Sequence, residues 1–332
     1  MTSEIDRRPG LSDEAVDRAA AVLDGAPELA MACHQHPDGD ALGSMLALAH
    51  LARQHGKAVT LTWPEPFEVG HHYDFLPGLG QAAKPVDFPT APAVMVAVDC
   101  ASPARLGGLL PAAEAAGELV VIDHHATNHG FGTVNLVDVT AAASAVVVRR
   151  LVGRLGWPLD GEAAIGLYTG LVCDTGRFQY ANTTPAVFAL AGELAGFEVP
   201  IPDITRELFE KHPIAYLRLA AEVLGRAEVD HARRFAAAWV TAEDLRRFGV
   251  RLEECEGLID LVRRTAEAEV ACVLKEAPDG TRVSLRAVSD FDVSTVAAAF
   301  GGGGHRAAAG FCSPRSVPDV LTAIREQLPV LG

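Results

Sequence analysis

Basic charge is short in this 332-residue chain: 28 lysines and arginines face 43 aspartates and glutamates, a formal net charge of −15. Long nucleic acid is held by Lys and Arg replacing condensed counterions, so long duplexes are expected to be repelled unless a local basic patch intervenes. Paired cysteine is missing too. The six cysteines (33, 100, 173, 255, 272, 312) form no C-x-x-C, and read as free thiols in a reducing cytoplasm rather than a disulfide frame. No apolar run approaches the roughly 20 residues that a membrane helix needs. The opening MTSEIDRRPG has no apolar stretch behind its charges and does not read as a secretory signal. No internal repeat stands out. An acidic chain can still handle phosphates where bound divalent metals supply the positive charge, which points to small phosphorylated substrates.

What is present is an ordinary globular balance, 49% hydrophobic and 21% charged. The length exceeds what one core usually holds, so two domains are expected. In the first half, short apolar runs (LAMAC at 29–33, AVTLTW at 58–63, AVMVAV at 93–98, LVVI at 119–122) alternate with helical patterns near 41–54, 140–155, 161–173 and 185–195. Continuous apolar strands suit a sheet covered on both faces, and the alternation predicts a doubly wound, mostly parallel α/β sheet over residues 1–196. The pattern loosens over 197–213, which reads as a linker, followed by a connecting helix to residue 225. Residues 226–332 read as a smaller α/β domain, with Pro278-Asp279-Gly280 marking a hairpin.

Chemistry-bearing residues gather at the ends of these elements. His34 to Ser44 (HQHPDGDALGS) follows a strand and opens a helix, so His34, Asp38 and Asp40 lie where open α/β sheets place their sites. Such imidazole and carboxylate donors can converge on a metal; alternatively, either aspartate simply caps the helix. Asp99 ends an apolar strand, where a carboxylate is costly to bury unless paired or metal-bound. Arg105, six residues on, could clamp a phosphate or lie on the surface. Asp123-His124-His125 ends another strand, with Asn128 just beyond, and adjacent side chains there point apart. One histidine can therefore bind metal while the other faces substrate. Asp174 ends a helix before a Thr-Gly turn. In the second half, Gly301 to Gly304, followed by His305 and Arg306, suits a loop that brings backbone N–H groups to an anion.

Together, H-x-x-P-D-G-D-A-x-G-S, the strand-end aspartate, D-H-H, a later aspartate and G-G-G-G-H-x-x-A-A-G resemble the DHH phosphoesterase superfamily with its DHH-associated C-terminal domain. The likeness runs from residue 34 to about 311, and length and domain pair are most similar to the bacterial nano-RNases, oligoribonucleases that also act on 3′-phosphoadenosine 5′-phosphate. The resemblance implies two Mn²⁺ ions, with Mg²⁺ or another divalent ion as substitutes. One is expected on His34, Asp38 and Asp99, the other on Asp40, Asp99, His124 and Asp174. It further implies hydroxide attack on phosphorus, with Asp123 orienting an imidazole and with His125 and Arg105 at the scissile phosphate. Asn128, Arg286, Gly302, Gly303, Gly304 and His305 are the expected substrate contacts, and a cytoplasmic homodimer the expected assembly. Where many relatives carry an acidic residue three positions after the bridging aspartate, this chain has Ser102, which bears on substrate preference. Cys33, Cys100 and Cys173 adjoin the expected ligands and are read as packing residues.

Expected substrates are short RNA, linear dinucleotides and 3′-phosphoadenosine 5′-phosphate, with no long duplex and no membrane partner. The alternatives are a cyclic di-AMP phosphodiesterase, a RecJ-type single-strand exonuclease, an inorganic pyrophosphatase and a non-enzymatic nucleotide sensor.

Overall fold

Five apolar runs pair as one parallel sheet: β1 (Glu28–Cys33), β2 (Ala58–Thr62), β3 (Val94–Val98), β4 (Glu118–Asp123) and β5 (Val134–Val137), in the order β2-β1-β3-β4-β5. The computed structural model describes residues 10–330, in two units, one ending at Leu208 and the other starting at Phe209. The parallel sheet belongs to the first.

Its helices are α1 (Asp13–Gly25), α2 (Gly39–Gln54), α3 (Leu110–Glu114), α4 (Ser144–Leu155), α5 (Gly161–Asp174), α6 (Pro185–Ala195) and α7 (Ile201–Thr205). Alternation along the strands turns Ala30, Met95, Ala97, Leu119 and Val121 to one face, where they meet Phe88, Leu106, Leu109, Ala112 and Ala113. The intervening strand residues are buried as well, and α2 and α4 pack against the sheet there. Both faces are covered, which is why β3 is apolar throughout. The strand order reverses between β1 and β3, so the loops leaving those two strands diverge and open a crevice at their carboxyl ends.

The helices α1 and α3 and the strand β5 lie outside the sequence-based expectation, and α7 falls in the segment read as a linker. The helix α1, capped by Ser12, has a weakly apolar face that packs on α4 and β5. β5 is only four residues long and includes Asn135, too short and too polar to signal a strand. The 197–213 segment contains α7 and a π-helical turn, Arg206–Glu210. Its prolines 200 and 202 fall at the start of α7, where the missing N–H breaks no helical hydrogen bond.

The helices α2 and α5 cross with backbones in contact. A Cβ on Gly43 would come within 2.2 Å of the Gly166 carbonyl oxygen, and one on Gly166 within 2.6 Å of the Gly43 oxygen. This approach carries the start of α2 toward the C-terminal end of α5, and with it Asp40 toward Asp174.

In the second unit, α8 (Ile214–Gly225) is followed by β6 (Glu228–Asp230), β7 (Phe235–Val240), α9 (Ala242–Phe248), α10 (Leu258–Val262), β8 (Val270–Ala277), β9 (Gly280–Ala287), α11 (Val293–Ala299), β10 (Gly303–His305), β11 (Ala308–Ser313) and α12 (Val317–Gln327). The sheet order is β10-β11-β9-β8-β7-β6, with only β7 and β8 parallel. One core, with α11 and α12, lies on one face; a second, with α8 and α10, lies on the other. The β8–β9 hairpin turns at Pro278-Asp279, and Gly280 has φ 135° with its Cβ position only 2.1 Å from the Ser313 oxygen, so no side chain fits there. Among the described residues, no helix is long and apolar enough to cross a membrane.

Candidate active site

The ends of β1, β3 and β4 bring the first-half candidates together. Leaving β1, His34 is buried, and Asp38 then caps α2, its Oδ1 accepting the N–H groups of Asp40 and Ala41 at 3.0 Å. That leaves Asp38 Oδ2 facing His34 Nε2, 3.8 Å away. The cap reading and the metal reading of Asp38 are therefore compatible, one per oxygen. Asp99, just past β3, adopts φ 58°, a left-handed conformation that costs an aspartate little, and its N–H donates to the Ile122 carbonyl at 2.8 Å. Its Oδ2 lies 3.5 Å from His34 Nε2 and its Oδ1 3.6 Å from His124 Nε2. Asp99 thus spans two imidazoles. His124 Nε2 also faces Asp174 Oδ2 at 3.0 Å and Asp40 Oδ2 at 3.8 Å.

Two groups of donor atoms result, each within 4.8 Å: His34, Asp38 and Asp99, and Asp40, His124 and Asp174. A third comprises Asp99, Asp123 and His125. The chemistry of the first two suits divalent cations. His124 Nδ1 lies 3.3 Å from the Ala141 carbonyl and His34 Nδ1 2.9 Å from that of Gln35. Placing the proton on each Nδ1 turns the Nε2 lone pair toward carboxylates, an arrangement that needs a cation between them. Four carboxylates, Asp38, Asp40, Asp99 and Asp174, surround two imidazoles; with all four ionised, two protonated rings leave −2, whereas two divalent ions balance the set with both rings neutral.

The proton affinities show the same strain. Burial opposes charge on His34, but Asp38 and Asp99 outweigh it and hold the ring's pKa up at about 10. His124 is likewise raised, against burial, by its contact with Asp174 and the charges of Asp99 and Asp40. Burial, then the charges of Asp99 and Asp174, push Asp40 well above the usual carboxylate range. Asp99 moves the other way: against burial, its bond to His34 and the three surrounding imidazoles hold it far below that range. Burial also pushes the thiols of Cys33, Cys100 and Cys173 well up, and among the described residues no cysteine falls in any of these donor groups.

His125 has a different setting. Its Nδ1 lies 2.7 Å from Oδ1 of buried Asp123, whose Oδ2 accepts from the Asn128 amide at 2.7 Å. The same amide donates to the Cys100 carbonyl at 3.0 Å, and Asn128 Oδ1 accepts the Gly130 N–H. Asn128 is itself 2% exposed, so its amide braces Asp123 from within the unit. Arg105 Nη2 sits 2.8 Å from His34 Nδ1, competing for that nitrogen with the Gln35 carbonyl. The two contacts call for opposite states of Nδ1, and a cation at Nε2 selects the Gln35 contact because the ring proton must then sit on Nδ1.

The second-unit candidates lie on the β9–β11–β10 side of its sheet. Arg286, on β9, has Nη1 on the Leu285 carbonyl at 3.0 Å and Nε 4.0 Å from Asp260 Oδ1. The glycine run is half turn and half edge strand: Gly301 and Gly302 lead into β10, whose Gly303, Gly304 and His305 pair with β11. Its glycines have steric reasons within the sheet: a Cβ on Gly302 would lie 2.2 Å from the Gly310 oxygen, and one on Gly304 2.5 Å from the Ala308 oxygen.

Ser144 and Asn182, which the motifs do not announce, and Ser44, the last residue of the first motif, also shape the site. Ser144 donates through Oγ to Asp99 Oδ1 at 2.9 Å and through its N–H to Asp40 Oδ2 at 2.5 Å. Ser44 Oγ donates to Asp40 Oδ1 at 3.0 Å. The Asn182 amide bonds the Asp174 and Ala142 carbonyls at 3.0 and 3.1 Å.

Residues 28–171 match the DHH family, N-terminal domain, and residues 234–329 match the DHHA1 domain. A Thermus thermophilus protein named bifunctional oligoribonuclease and PAP phosphatase NrnA is 34% identical over 307 residues, 91% of this chain and 90% of that protein. The chain belongs to the DHH family. Among solved structures, this DHH chain is similar to an exopolyphosphatase-related protein from Bacteroides fragilis, with a TM-score of 0.87 and 24% identity over 95% of this chain and 96% of that one. RecJ from Thermus thermophilus in complex with Mn²⁺ gives a TM-score of 0.53 at 15% identity, over 97% of this chain and 55% of RecJ. At these identities both likenesses speak to the DHH fold alone.

Proposed function

We propose that this enzyme, a phosphoric ester hydrolase, is a Mn²⁺-dependent nano-RNase that degrades short oligoribonucleotides and linear dinucleotides and dephosphorylates 3′-phosphoadenosine 5′-phosphate. The observation that carries the reading is the pair of donor groups meeting at Asp99. The 34% identity to the Thermus thermophilus relative of that name supports the substrate class.

Two divalent ions would be held by His34, Asp38 and Asp99 and by Asp40, Asp99, His124 and Asp174. When bound they would supply positive charge for the phosphoryl oxygens and lower the pKa of an attacking water. The remaining steps belong to the chain's own side chains. Asp123 fixes the His125 ring with its proton on Nδ1 and stabilises the ring when it is charged. Protonated His125 can then deliver a proton from Nε2 to the leaving ribose oxygen. Arg105, with His34 Nδ1 bonded to Gln35, has a guanidinium available to a phosphate. In the second unit, Arg286 and His305 are the proposed substrate contacts, while Asn128 holds Asp123. A cytoplasmic homodimer belongs to the same reading, its mass to be read by light scattering.

The test is product formation by the purified chain with Mn²⁺, offered linear pApA, 3′-phosphoadenosine 5′-phosphate, cyclic di-AMP, pyrophosphate and long single-stranded DNA in parallel, with Asp99→Ala as control. Turnover of the first two with a dead control is expected. Turnover of only pyrophosphate or only long DNA would move the chain to another branch of the family. A fully active, metal-independent Asp99→Ala protein would remove the assignment altogether.

A further inference from the structure

A carboxylate that serves two cation groups must present a defined oxygen to each, yet the terminal torsion of an aspartate is broad and roughly two-fold. Asp99 meets this demand with Oδ2 toward His34 and Oδ1 toward His124. Its backbone fixes only the root of the side chain. The Asp99 side-chain hydrogen bond that distinguishes the two oxygens comes from Ser144, whose Oγ donates to Oδ1 at 2.9 Å. Ser144 also opens α4, and the first two N–H groups of that helix close on Asp40: Ser144 N on Oδ2 at 2.5 Å and Ala145 N on Oδ1 at 3.0 Å. With Ser44 Oγ on Oδ1 as well, Asp40 Oδ1 is occupied twice and Oδ2 once. The open acceptor site of Asp40 is therefore on Oδ2, the oxygen that faces His124. Ser144 itself is fully buried and touches both carboxylates at once.

We propose that Ser144 is a positioning residue that locks Asp99 and Asp40 in a common orientation and so sets the divalent-metal affinity of the site. It acts through the two carboxylates and not on the substrate. The inference rests on the reading of the cluster as a divalent-cation site. Substitution of a group that orients a metal ligand commonly costs about 10- to 100-fold in metal affinity, and a loss of that order is expected for Ser144→Ala. Because the ligands themselves remain, excess Mn²⁺ restores much of the turnover, so the defect falls on metal affinity rather than on kcat at saturating metal. Ser144→Thr, which keeps the hydroxyl, recovers most of the affinity.

The experiment is Mn²⁺ titration of metal-stripped full-length protein, following free Mn²⁺ by electron paramagnetic resonance, for wild type, Ser144→Ala and Ser144→Thr. Circular dichroism of the stripped proteins reports the fold. Weakened binding by folded Ser144→Ala, with recovery in Ser144→Thr, supports the proposal. A folded Ser144→Ala that binds Mn²⁺ like wild type overturns it, as does a Thr variant as weak as the Ala variant. If Ser144→Ala does not fold, the comparison passes to Ser144→Cys, whose thiol is a poorer donor in a similar volume, with the same two readings. Wild type that takes up no Mn²⁺ overturns the cation-site reading itself, an outcome separate from the failure of Ser144 alone.

Discussion

Nδ1 of His125 lies 2.7 Å from Oδ1 of Asp123, a carboxylate buried completely behind the ring. Such a carboxylate fixes the imidazole's proton position and stabilises its charged form. Asp123→Asn is therefore expected to lower kcat by about 10²- to 10⁴-fold, while Mn²⁺ binding through the other carboxylates persists. Asn128→Ala removes only the outer restraint on Asp123 and should cost about tenfold. Steady-state kinetics at saturating Mn²⁺, beside a metal titration, separate these effects. Unchanged kcat in Asp123→Asn would remove His125 from proton transfer.

Metal affinity should depend steeply on pH. His34 is held at about 10 without metal, above its ordinary value of 6.5. At neutral pH the metal-free ring thus carries a proton that a metal must displace. Raising the pH removes the competitor, so affinity climbs, about tenfold per pH unit for each proton displaced, and levels off near pH 10. Mn²⁺ dissociation constants measured from about pH 6 to pH 9 check this, and a flat profile would contradict it.

The crossing of α2 and α5 leaves no room for a methyl group. Gly43→Ala places a Cβ 2.2 Å from backbone, so the helices must separate, at a cost of about 1–3 kcal/mol or more. Because α5 ends in Asp174, Mn²⁺ affinity should fall with stability. Gly192, inside α6 with nothing within 4 Å of its Cβ position, is the contrast: Gly192→Ala should stabilise by about 0.5–1 kcal/mol through the less flexible unfolded chain. Thermal melts of the two variants should move in opposite directions.

In the second unit, Arg226 grips Asp244 with two nitrogens, at 2.6 and 3.0 Å. Burial alone would raise Asp244, but Arg226 and the Thr241 donors hold it at about 2. Its folded pKa lies below the ordinary 3.8, so the stabilisation is complete above the ordinary value and disappears as pH falls through about 2. Arg226→Met should destabilise by about 1–3 kcal/mol at pH 7, and the gap from wild type should close toward pH 2. Urea unfolding at several pH values reads both.

The positions of His34, Asp99 and Asp123 to His125 were legible because apolar runs stop abruptly at each of them, and a strand end in an alternating α/β pattern lies at the crevice. The fold class followed from the same alternation. What escaped has equally specific causes. The four residues of β5 include Asn135, so no apolar run marks them. Ser144 acts as much through a backbone N–H as through its hydroxyl, and backbone donors leave no trace in residue type. The glycine run read as an open loop because a sequence does not show that another strand lies against it; the approach of β11 explains Gly302 and Gly304. The bond from Asn128 to Asp123 is a contact that spacing in sequence cannot convey.

The second sheet ends on strands of only three residues, β6 and β10. An edge strand displays unpaired N–H and C=O groups on which a foreign chain can polymerise, and short edges are one way that proteins blunt this. Here both rims are short, and one carries the charges of Glu228 and Asp230, two of the devices that oppose such pairing. Each rim of this sheet thus offers a foreign strand only three residues of backbone to pair with.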